Sequence, residues 1–368
     1  MDVGRAPGPR SRFRVLSAAR LEGPELEELR AVAHLDLIGA AVGSVPPGAA
    51  ALVELVPGYD ILVVESEPVT EAVLRANPRL SAVGCCRGDP ANLDLATAAE
   101  LGISILYAPG RNAEATADYA MGLLISEVRN IARAHHLLVG GKLTVPRTLM
   151  AERSGRDTIW RLPDGSIPGR WMGGPELRDL VLGIVGLGRI GRAVARRAAA
   201  FGMTVISSDP YLSTAPDAIP LMPLDALLER ADVVSLHCKL TPETERLIGR
   251  AEIARMKPGA ILINTARACI VDEEALLDAL RDGHLGGAGL DVFLDEPLPD
   301  DSPFLGLENV TITPHLAGAS SSVVRRHTEM VVGDILRLVR GEAPLNLYAP
   351  AHPGATGLVA NPGSSHVQ

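Results

Sequence analysis

The stretch GIVGLGRIGRAVARRAAAFGMTVISSDP occupies residues 183–210. An apolar run ends on three spaced glycines, Gly186, Gly188 and Gly191. A small-residue helical pattern follows, and a second apolar run closes on Asp209. The first glycine permits a tight turn, the second lets a pyrophosphate approach the backbone, and the third lets the helix pack close to the strand. The helix N-terminus at Arg189 and Ile190 offers unpaired N–H groups and the positive end of its dipole to phosphates. Asp209 stands 18 residues after Gly191, at a strand end where a carboxylate accepts bonds from both ribose hydroxyls of a dinucleotide. A carboxylate there repels a 2′-phosphate, so the segment predicts NAD rather than NADP. A glycine turn used only for packing leaves the acid unexplained. A methyl-donor nucleotide fits both, and only chemistry elsewhere in the chain excludes it.

The chain around this segment has 368 residues, 47% of them hydrophobic, and a net charge of −9. That length predicts two domains, each with its own core. The negative balance argues against a nucleic-acid surface, which needs a clustered positive field. No run of 18 apolar residues is present and the first residues lack an apolar signal core, so neither a membrane span nor a secretory signal is expected. The four cysteines, Cys85, Cys86, Cys238 and Cys269, form no C-x-x-C pair. They read as reduced thiols of a cytoplasmic protein, with no metal site.

Strand and helix patterns alternate almost throughout, the signature of a parallel α/β architecture. Strands are expected at 13–18, 60–65, 79–86 and 103–108, with helical patterns such as NLDLATAAEL between them. One long helix is expected over 114–138. The Gly-, Pro- and Trp-rich stretch 140–174 reads as an extended connection or arm. A second alternating series runs from Leu180 to NVTITPH (309–315), and a last helix covers 321–341. The tail lacks any apolar period and is expected to be disordered. The expectation is two doubly wound halves flanking a cleft: a substrate domain of 1–119 plus 318–345, a Rossmann cofactor domain of 120–317, and a disordered 346–368.

Three chemical groups follow predicted strands in the second half: Arg267 in INTARACIVDEEAL, Glu296 in GLDVFLDEPLP and His315 in TITPHLAGAS. In an open α/β sheet such positions face the crevice at the carboxyl ends of the strands. Hydride transfer to a 2-oxo acid needs a fixed cation for the carboxylate, a proton donor for the developing alkoxide, and a group that keeps the donor protonated. Arginine supplies a permanent planar fork. Histidine titrates in the right range, and a neighbouring glutamate favours its protonated form and fixes its tautomer. Each residue taken alone reads more simply, as a structural histidine, a surface ion pair and a helix cap. Their joint spacing carries the inference.

These stretches resemble the D-isomer-specific 2-hydroxyacid dehydrogenase family over most of residues 60–345. GRNAEATADYAMGLL (110–124), VVSLHCKLTPETERLIG (233–249) and MKPGAILINTAR (256–267) look like further family blocks. The resemblance implies a flavodoxin-like substrate domain, a Rossmann NAD domain and a homodimer formed through the latter. It implies that Arg267, Glu296 and His315 are catalytic and that Asp291 lies against the nicotinamide carboxamide. It also implies that the turn Cys86-Arg87-Gly88 holds the substrate carboxylate with its backbone amides. His237, Thr241, Thr265, Ala266 and Gly318 join the glycine segment as cofactor-binding candidates. Three features depart from the pattern: Ala268 and Cys269 follow the arginine where glycine is usual, Lys239 replaces a bulky apolar group, and the 140–174 arm is long. A glutamate where the formate-oxidising branch has glutamine argues against formate.

The chain is thus read as an NAD-dependent enzyme acting on a small 2-oxo or 2-hydroxy acid. The alternative, on the same fold, is an NAD-sensing corepressor-like binding protein. Arg87 and Lys239 are cations beyond those a simple pyruvate-like acid needs. They point to a substrate with a second anionic or strongly polar group, such as a phosphate, phosphonate or second carboxylate. The remaining histidines, His327 among them, read as surface or packing residues.

Overall fold

The structure is a computed structural model that describes residues 13–146, 160–215 and 218–348. These residues form two compact units. One comprises the described residues up to Arg111 together with those from Ser321 onward; the other runs from Asn112 to Ser320.

In the first unit, β1 (Arg14–Ser17), α1 (Pro24–Val32), β2 (His34–Leu37), α2 (Ala49–Leu55), β3 (Ile61–Val64), α3 (Glu71–Arg75), β4 (Ala82–Cys85), α4 (Leu95–Glu100) and β5 (Ser104–Tyr107) alternate along the chain. Every pairing is parallel and the strand order is β2-β1-β3-β4-β5. β3 (ILVV) and β4 (AVGC) are buried at every position, as a parallel sheet covered on both faces requires. α1 opens with Pro24, carries Glu25 and Glu27 in its first turn and ends near Arg30, matching the helix dipole at both ends. The side chain of Asp94 caps α4 by accepting the N–H of Thr97 at 3.0 Å.

The second unit contains α5 (Ala113–Val128), α6 (Ile131–Val139), α7 (Pro168–Trp171), β6 (Val181–Val185), α8 (Arg189–Ala200), β7 (Thr204–Ser208), α9 (Leu224–Arg230), β8 (Val233–Leu236), α10 (Arg250–Arg255), β9 (Ala260–Asn264), α11 (Glu273–Arg281), β10 (Leu285–Leu290) and β11 (Val310–Ile312). Its sheet is also wholly parallel, in the order β11-β10-β9-β8-β6-β7. Both sheets are the doubly wound α/β architecture expected. α12 (Ser321–Val339) then returns to the first unit, where Val331, Val332, Ile335 and Leu336 join Val15, Ile61 and Leu106 in one core.

The single helix expected over 114–138 is two helices. α5 ends at Val128 and α6 starts at Ile131, because Asn130 adopts the left-handed region at φ 53°. Its side chain donates to the carbonyl of Met172 at 3.1 Å. Gly174 passes so close to the carbonyl of Val128 that a Cβ there would overlap it. The chain that crosses the end of α5 therefore ends that helix. Within the arm, Leu143 and Met172 pack with Leu137 of α6 in a small buried cluster, and Trp160 donates to the Leu143 carbonyl at 3.2 Å. Residues 147–159 of the arm lie outside the described residues, as does the tail 346–368, expected to be disordered, from residue 349 on; its first three residues are instead ordered, because the N–H of Asn346 donates to Asp334 at 2.8 Å and that of Tyr348 to the Ile105 carbonyl at 2.8 Å.

Candidate active site

The glycine turn joins β6 to α8. Gly186 has φ 89°, and a Cβ there would stand 2.6 Å from the backbone nitrogen of Cys238. A Cβ on Gly191 would overlap the Gly186 carbonyl, whereas Gly188 faces open space. Two glycines are therefore set by the protein's own packing, and the middle one leaves room for a group against the backbone at the N-terminus of α8. Arg189 is exposed there and Ile190 half-buried. Asp209, half-buried after β7, accepts the N–H of Leu187 at 2.9 Å and that of Tyr211 at 3.0 Å. It thus holds the turn itself, and each oxygen retains a second lone pair for a ligand hydroxyl.

At the end of β8, His237 is held by Ser235, with Nε2 2.8 Å from the hydroxyl. Burial alone lowers its pKa to about 4, so the ring is neutral near neutral pH. Its Nδ1 is buried without a partner, and so is the hydroxyl oxygen of Thr265 after β9. Buried polar atoms are normally satisfied, so both invite a polar ligand. A cradle open at Gly188, a carboxylate at Asp209 and these two orphaned atoms fit a dinucleotide. Thr241 receives a bond from Thr244 through its carbonyl, Thr244 N–H to O at 3.1 Å. Its own N–H donates to the Thr244 hydroxyl at 2.7 Å, which makes it a turn residue. Gly318 lies close to Asn112, whose amide nitrogen a Cβ at Gly318 would approach to 2.8 Å.

After β9, Asn264 shapes the turn that presents Arg267: its Oδ1 accepts the N–H of Ala266 at 3.0 Å and its Nδ2 donates to the Arg267 carbonyl at 2.9 Å. Arg267 itself is exposed. After β10 and β11 come Glu296 and His315, whose Oε2 and Nδ1 lie 2.7 Å apart. The other Glu296 oxygen accepts the N–H of Phe293 at 3.0 Å. Burial opposes the Glu296 charge, but the His315 bond, the Phe293 N–H and the charges of His315 and Arg267 prevail and hold the carboxyl below its usual range. Arg267, Glu296 and His315 therefore form one electrostatic group. A cavity of about 480 Å³ adjoins it, lined by Phe293, Pro297, Leu298, Ile312 and Pro314 beside Glu296 and His315.

His315 is in the left-handed region at φ 54°, a conformation uncommon outside glycine. Asp291, fully buried at the end of β10, stabilises it: its carboxylate accepts the N–H groups of Leu316 at 2.8 Å and Ala317 at 2.7 Å, and the hydroxyl of Thr313 at 2.6 Å. The sequence reading sets Asp291 against the nicotinamide and passes over Thr313 and Asn264. A polar residue at the carboxyl end of an apolar strand, Asn264 closing β9 and Thr313 directly after β11, is the available signal for both.

Cys86, Arg87 and Gly88 belong to the other unit, directly after β4. Both neighbouring thiols are buried, and burial raises that of Cys85 to about 11 and that of Cys86 well above its usual value. Neither is a nucleophile; the turn offers its backbone and the half-buried Arg87. Among the described residues no cluster of His, Cys, Asp or Glu is arranged to hold a metal ion, and no helix is long and apolar enough to cross a membrane.

The profile described as D-isomer specific 2-hydroxyacid dehydrogenase, NAD binding domain, matches residues 121–317. A glyoxylate reductase of Korarchaeum cryptofilum is 39% identical over 306 residues, 82% of this chain and 86% of that protein. A D-3-phosphoglycerate dehydrogenase of Mycobacterium leprae is 40% identical over 296 residues; these are 79% of this chain but only 51% of that protein, so the chain spans about half its length. The crystal structure of the TT0316 protein from Thermus thermophilus superposes with a TM-score of 0.73 at 36% identity, covering 92% of this chain and 100% of that one. The chain belongs to the D-isomer-specific 2-hydroxyacid dehydrogenase family and is an NAD-dependent oxidoreductase of 2-hydroxy acids.

Proposed function

We propose that this chain reduces a small 2-oxo acid with NADH, with His315 as proton donor, Glu296 as its partner and Arg267 as the anchor of the substrate carboxylate. The observation that carries the reading is the 2.7 Å contact between His315 Nδ1 and Glu296 Oε2. A carboxylate at Nδ1 fixes the N–H on that nitrogen and the orientation of the ring. Nε2 is then the atom that gives a proton to the developing alkoxide. NADH, when bound, supplies the hydride. Arg267 offers a planar fork to the carboxylate and lowers the energy of negative charge growing on the neighbouring oxygen. The backbone of Cys86, Arg87 and Gly88 belongs to the same reading as a second carboxylate anchor. The glycine turn, Asp209, His237, Thr265, Ala266 and Gly318 hold the dinucleotide.

The unit of residues 112–320 is the cofactor domain in this reading and the other the substrate domain, near the 120–317 and 1–119 plus 318–345 division expected from sequence. A homodimer is part of the proposal, supported by the apolar residues Ile131, Leu138, Val139, Trp160 and Trp171 left exposed on α6 and the arm. A cytoplasmic location is supported by four unpaired cysteines. The corepressor alternative is not favoured, since the relatives carry reductase and dehydrogenase names.

The test is NADH oxidation with glyoxylate as acceptor, the substrate in the name of the Korarchaeum relative. The His315→Ala variant should lose about 10²–10⁴-fold in kcat, the range for a missing general acid, with NADH binding retained. Turnover of that variant near the parent rate removes His315 from the mechanism.

A further inference from the structure

The chain passes between the two units twice, from Arg111 to Asn112 and from Ser320 to Ser321. Inside the first unit one residue touches the chain at both crossings. His327 lies on α12, the helix that begins at the second crossing, and is completely buried. Arg111, the last residue before the first crossing, places Nη1 2.7 Å from His327 Nδ1 and donates from the same nitrogen to Glu65 Oε1 at 2.6 Å. The other ring nitrogen, Nε2, is 2.7 Å from the Arg20 carbonyl. The adjacent Thr328, also completely buried, accepts the N–H of Glu22 at 3.1 Å and donates to the Val324 carbonyl at 2.8 Å. Two neighbouring residues of α12 thus hold the segments that leave β1 and β5.

These partners fix the proton on His327. Arginine has donors only and keeps its charge, and a carbonyl only accepts. Nδ1 is therefore the acceptor and Nε2 carries the hydrogen, so the ring is the neutral Nε2–H tautomer. A proton added at Nδ1 sets N–H against N–H and one positive charge against another at hydrogen-bond distance. The charged groups that face the ring are Arg111 and Glu65, with Arg20 and Glu22 on the segment after β1, and the nearby buried thiol of Cys86 is neutral. Glu65 remains a partner for Arg111 when the ring is protonated, so the guanidinium can leave α12 without being stranded. Desolvation by burial, the largest influence, and the charge of Arg111 hold the imidazole below its ordinary 6.5, against the Arg20 carbonyl and the charges of Glu65 and Glu22. The contact is present at neutral pH and lost as pH falls through the folded value.

Arg111 also closes a loop that backs the turn Cys86-Arg87-Gly88. Its N–H donates to the Ala108 carbonyl at 3.3 Å, and the Ala108 N–H donates to the Arg87 carbonyl at 2.9 Å. Gly88 lies against the same loop, where an added Cβ would stand 3.5 Å from the Gly110 nitrogen.

We infer that His327 is an acid-released latch: neutral, it clamps Arg111 to α12 and steadies the loop behind residues 86–88; protonated, it expels Arg111 and loosens the first crossing. It is a positioning residue that acts through Arg111, and its effect on substrate binding rests on the proposed reduction of a 2-oxo acid.

The experiment measures hydrogen-exchange protection of the N–H groups of residues 108 and 111 between about pH 8 and pH 4.5, in the full chain and in its His327→Gln and Arg111→Met variants. The glutamine amide offers one acceptor and one donor and does not titrate. In the parent, protection should fall about tenfold or more toward acid, the range for one hydrogen bond to a charged group, with a midpoint below 6.5, while the N–H groups of β3 keep theirs. In His327→Gln the fall should be absent. Arg111→Met has no latch and should show the low protection at every pH, which keeps the test decisive where the buried glutamine prevents folding. Protection in the parent unchanged down to pH 4.5, a fall that persists in His327→Gln, a loss shared equally by β3, or a pH-dependent Arg111→Met each overturns the inference. Kinetics with glyoxylate test the consequence. Toward acid the KM for glyoxylate should rise about tenfold more in the parent than in His327→Gln, with the KM for NADH moving alike in both. Equal changes overturn the positioning role. A chain that reduces no 2-oxo acid loses the reductase reading, and the exchange measurement still decides the latch.

Discussion

Asp291 Oδ2 accepts the N–H of Ala317 at 2.7 Å, two residues beyond His315. With the Leu316 N–H and the Thr313 hydroxyl on Oδ1, this carboxylate ties both sides of His315 to the end of β10. The left-handed backbone of His315 is stabilised from outside the residue, by an anchor no solvent reaches. An asparagine has only one acceptor oxygen and must leave at least one of three donors unpaired, which costs on the order of 1–3 kcal/mol. Asp291→Asn should therefore lower thermal stability and reduce kcat by about 10-fold or more, with the KM for NADH changed less than kcat. The measurement is steady-state kinetics on a variant whose circular dichroism matches the parent's. A fall in NADH affinity with kcat preserved would show that Asp291 acts on the cofactor, as the family resemblance implies, and not through His315.

The partner of His315 gives a second prediction. Glu296 is ionised across the neutral range, because the His315 bond, the Phe293 N–H and the neighbouring cations outweigh burial. A depressed carboxyl contributes its interaction above its ordinary pKa and loses it as pH falls through the folded value. Glu296→Gln keeps an acceptor for His315 Nδ1 but removes this titration. The variant should lose about 10-fold or more in kcat, and the fall in rate at acid pH that follows protonation of Glu296 in the parent should be missing from its profile. A rate and a pH–rate profile identical to the parent's would count against the pairing.

Glu127 is a carboxyl outside the proposed site with the opposite sign. It sits at the end of α5, accepts a bond from the Thr311 hydroxyl, and is raised from 4.5 to about 7, mainly by burial, against the Thr311 bonds and the charge of Arg133. The folded chain holds this proton more tightly than the unfolded one, so stability present at acidic pH is lost as pH rises from about 4.5 through 7. Glu127→Gln removes the titration and keeps the oxygen that accepts from Thr311. At pH 8 the variant should unfold at a temperature a few degrees above the parent's, for a difference on the order of 1–3 kcal/mol. Near pH 4 the two should converge. Calorimetry at both pH values decides it, and a gap independent of pH removes Glu127 as its source.

Much of this molecule was legible along the chain because its strands are buried on both faces. ILVV, AVGC and VLGIV read as uninterrupted apolar runs bounded by turn residues. β2 (HLDL) escaped because it is an edge strand with an exposed His34 and half-buried neighbours. The break after α5 was invisible to periodicity: it depends on Gly174, far along the chain from Val128. His327 was within reach, since Val323, His327 and Val331 share one buried face of α12 at four-residue spacing. Its partner Arg111 lies 216 residues away, and no local pattern announces such a pairing. The pairing of Glu65 and Arg111 is likewise hidden, across 46 residues. The glycine turn, Asp209 and the order of Arg267, Glu296 and His315 were legible because each follows a strand of one parallel sheet.

The last prediction concerns the choice of cofactor. Asp209 accepts the N–H of Leu187 within the glycine turn and that of Tyr211 beyond it, so it has a structural task as well as the proposed ribose contact. Asp209→Ala removes the charge, the ribose acceptor and both backbone anchors together, and should weaken NADH through all of them. Asp209→Asn separates the effects. It keeps one oxygen, which can still take the Leu187 N–H, and removes the charge that repels a 2′-phosphate. A charge-assisted bond is worth about 1.5–3 kcal/mol, or roughly 10–100-fold in binding. Asp209→Asn should raise the KM for NADH about tenfold and increase the NADPH-to-NADH preference by at least as much. In Asp209→Ala the loosened turn should weaken both cofactors, so its NADPH-to-NADH ratio rises while its absolute NADPH efficiency stays below that of Asp209→Asn. Kinetics with both nucleotides at a fixed oxo acid measure all of these quantities. A parent that already prefers NADPH, or an Asp209→Asn ratio equal to the parent's, would leave Asp209 as an anchor of the glycine turn with no part in choosing the cofactor.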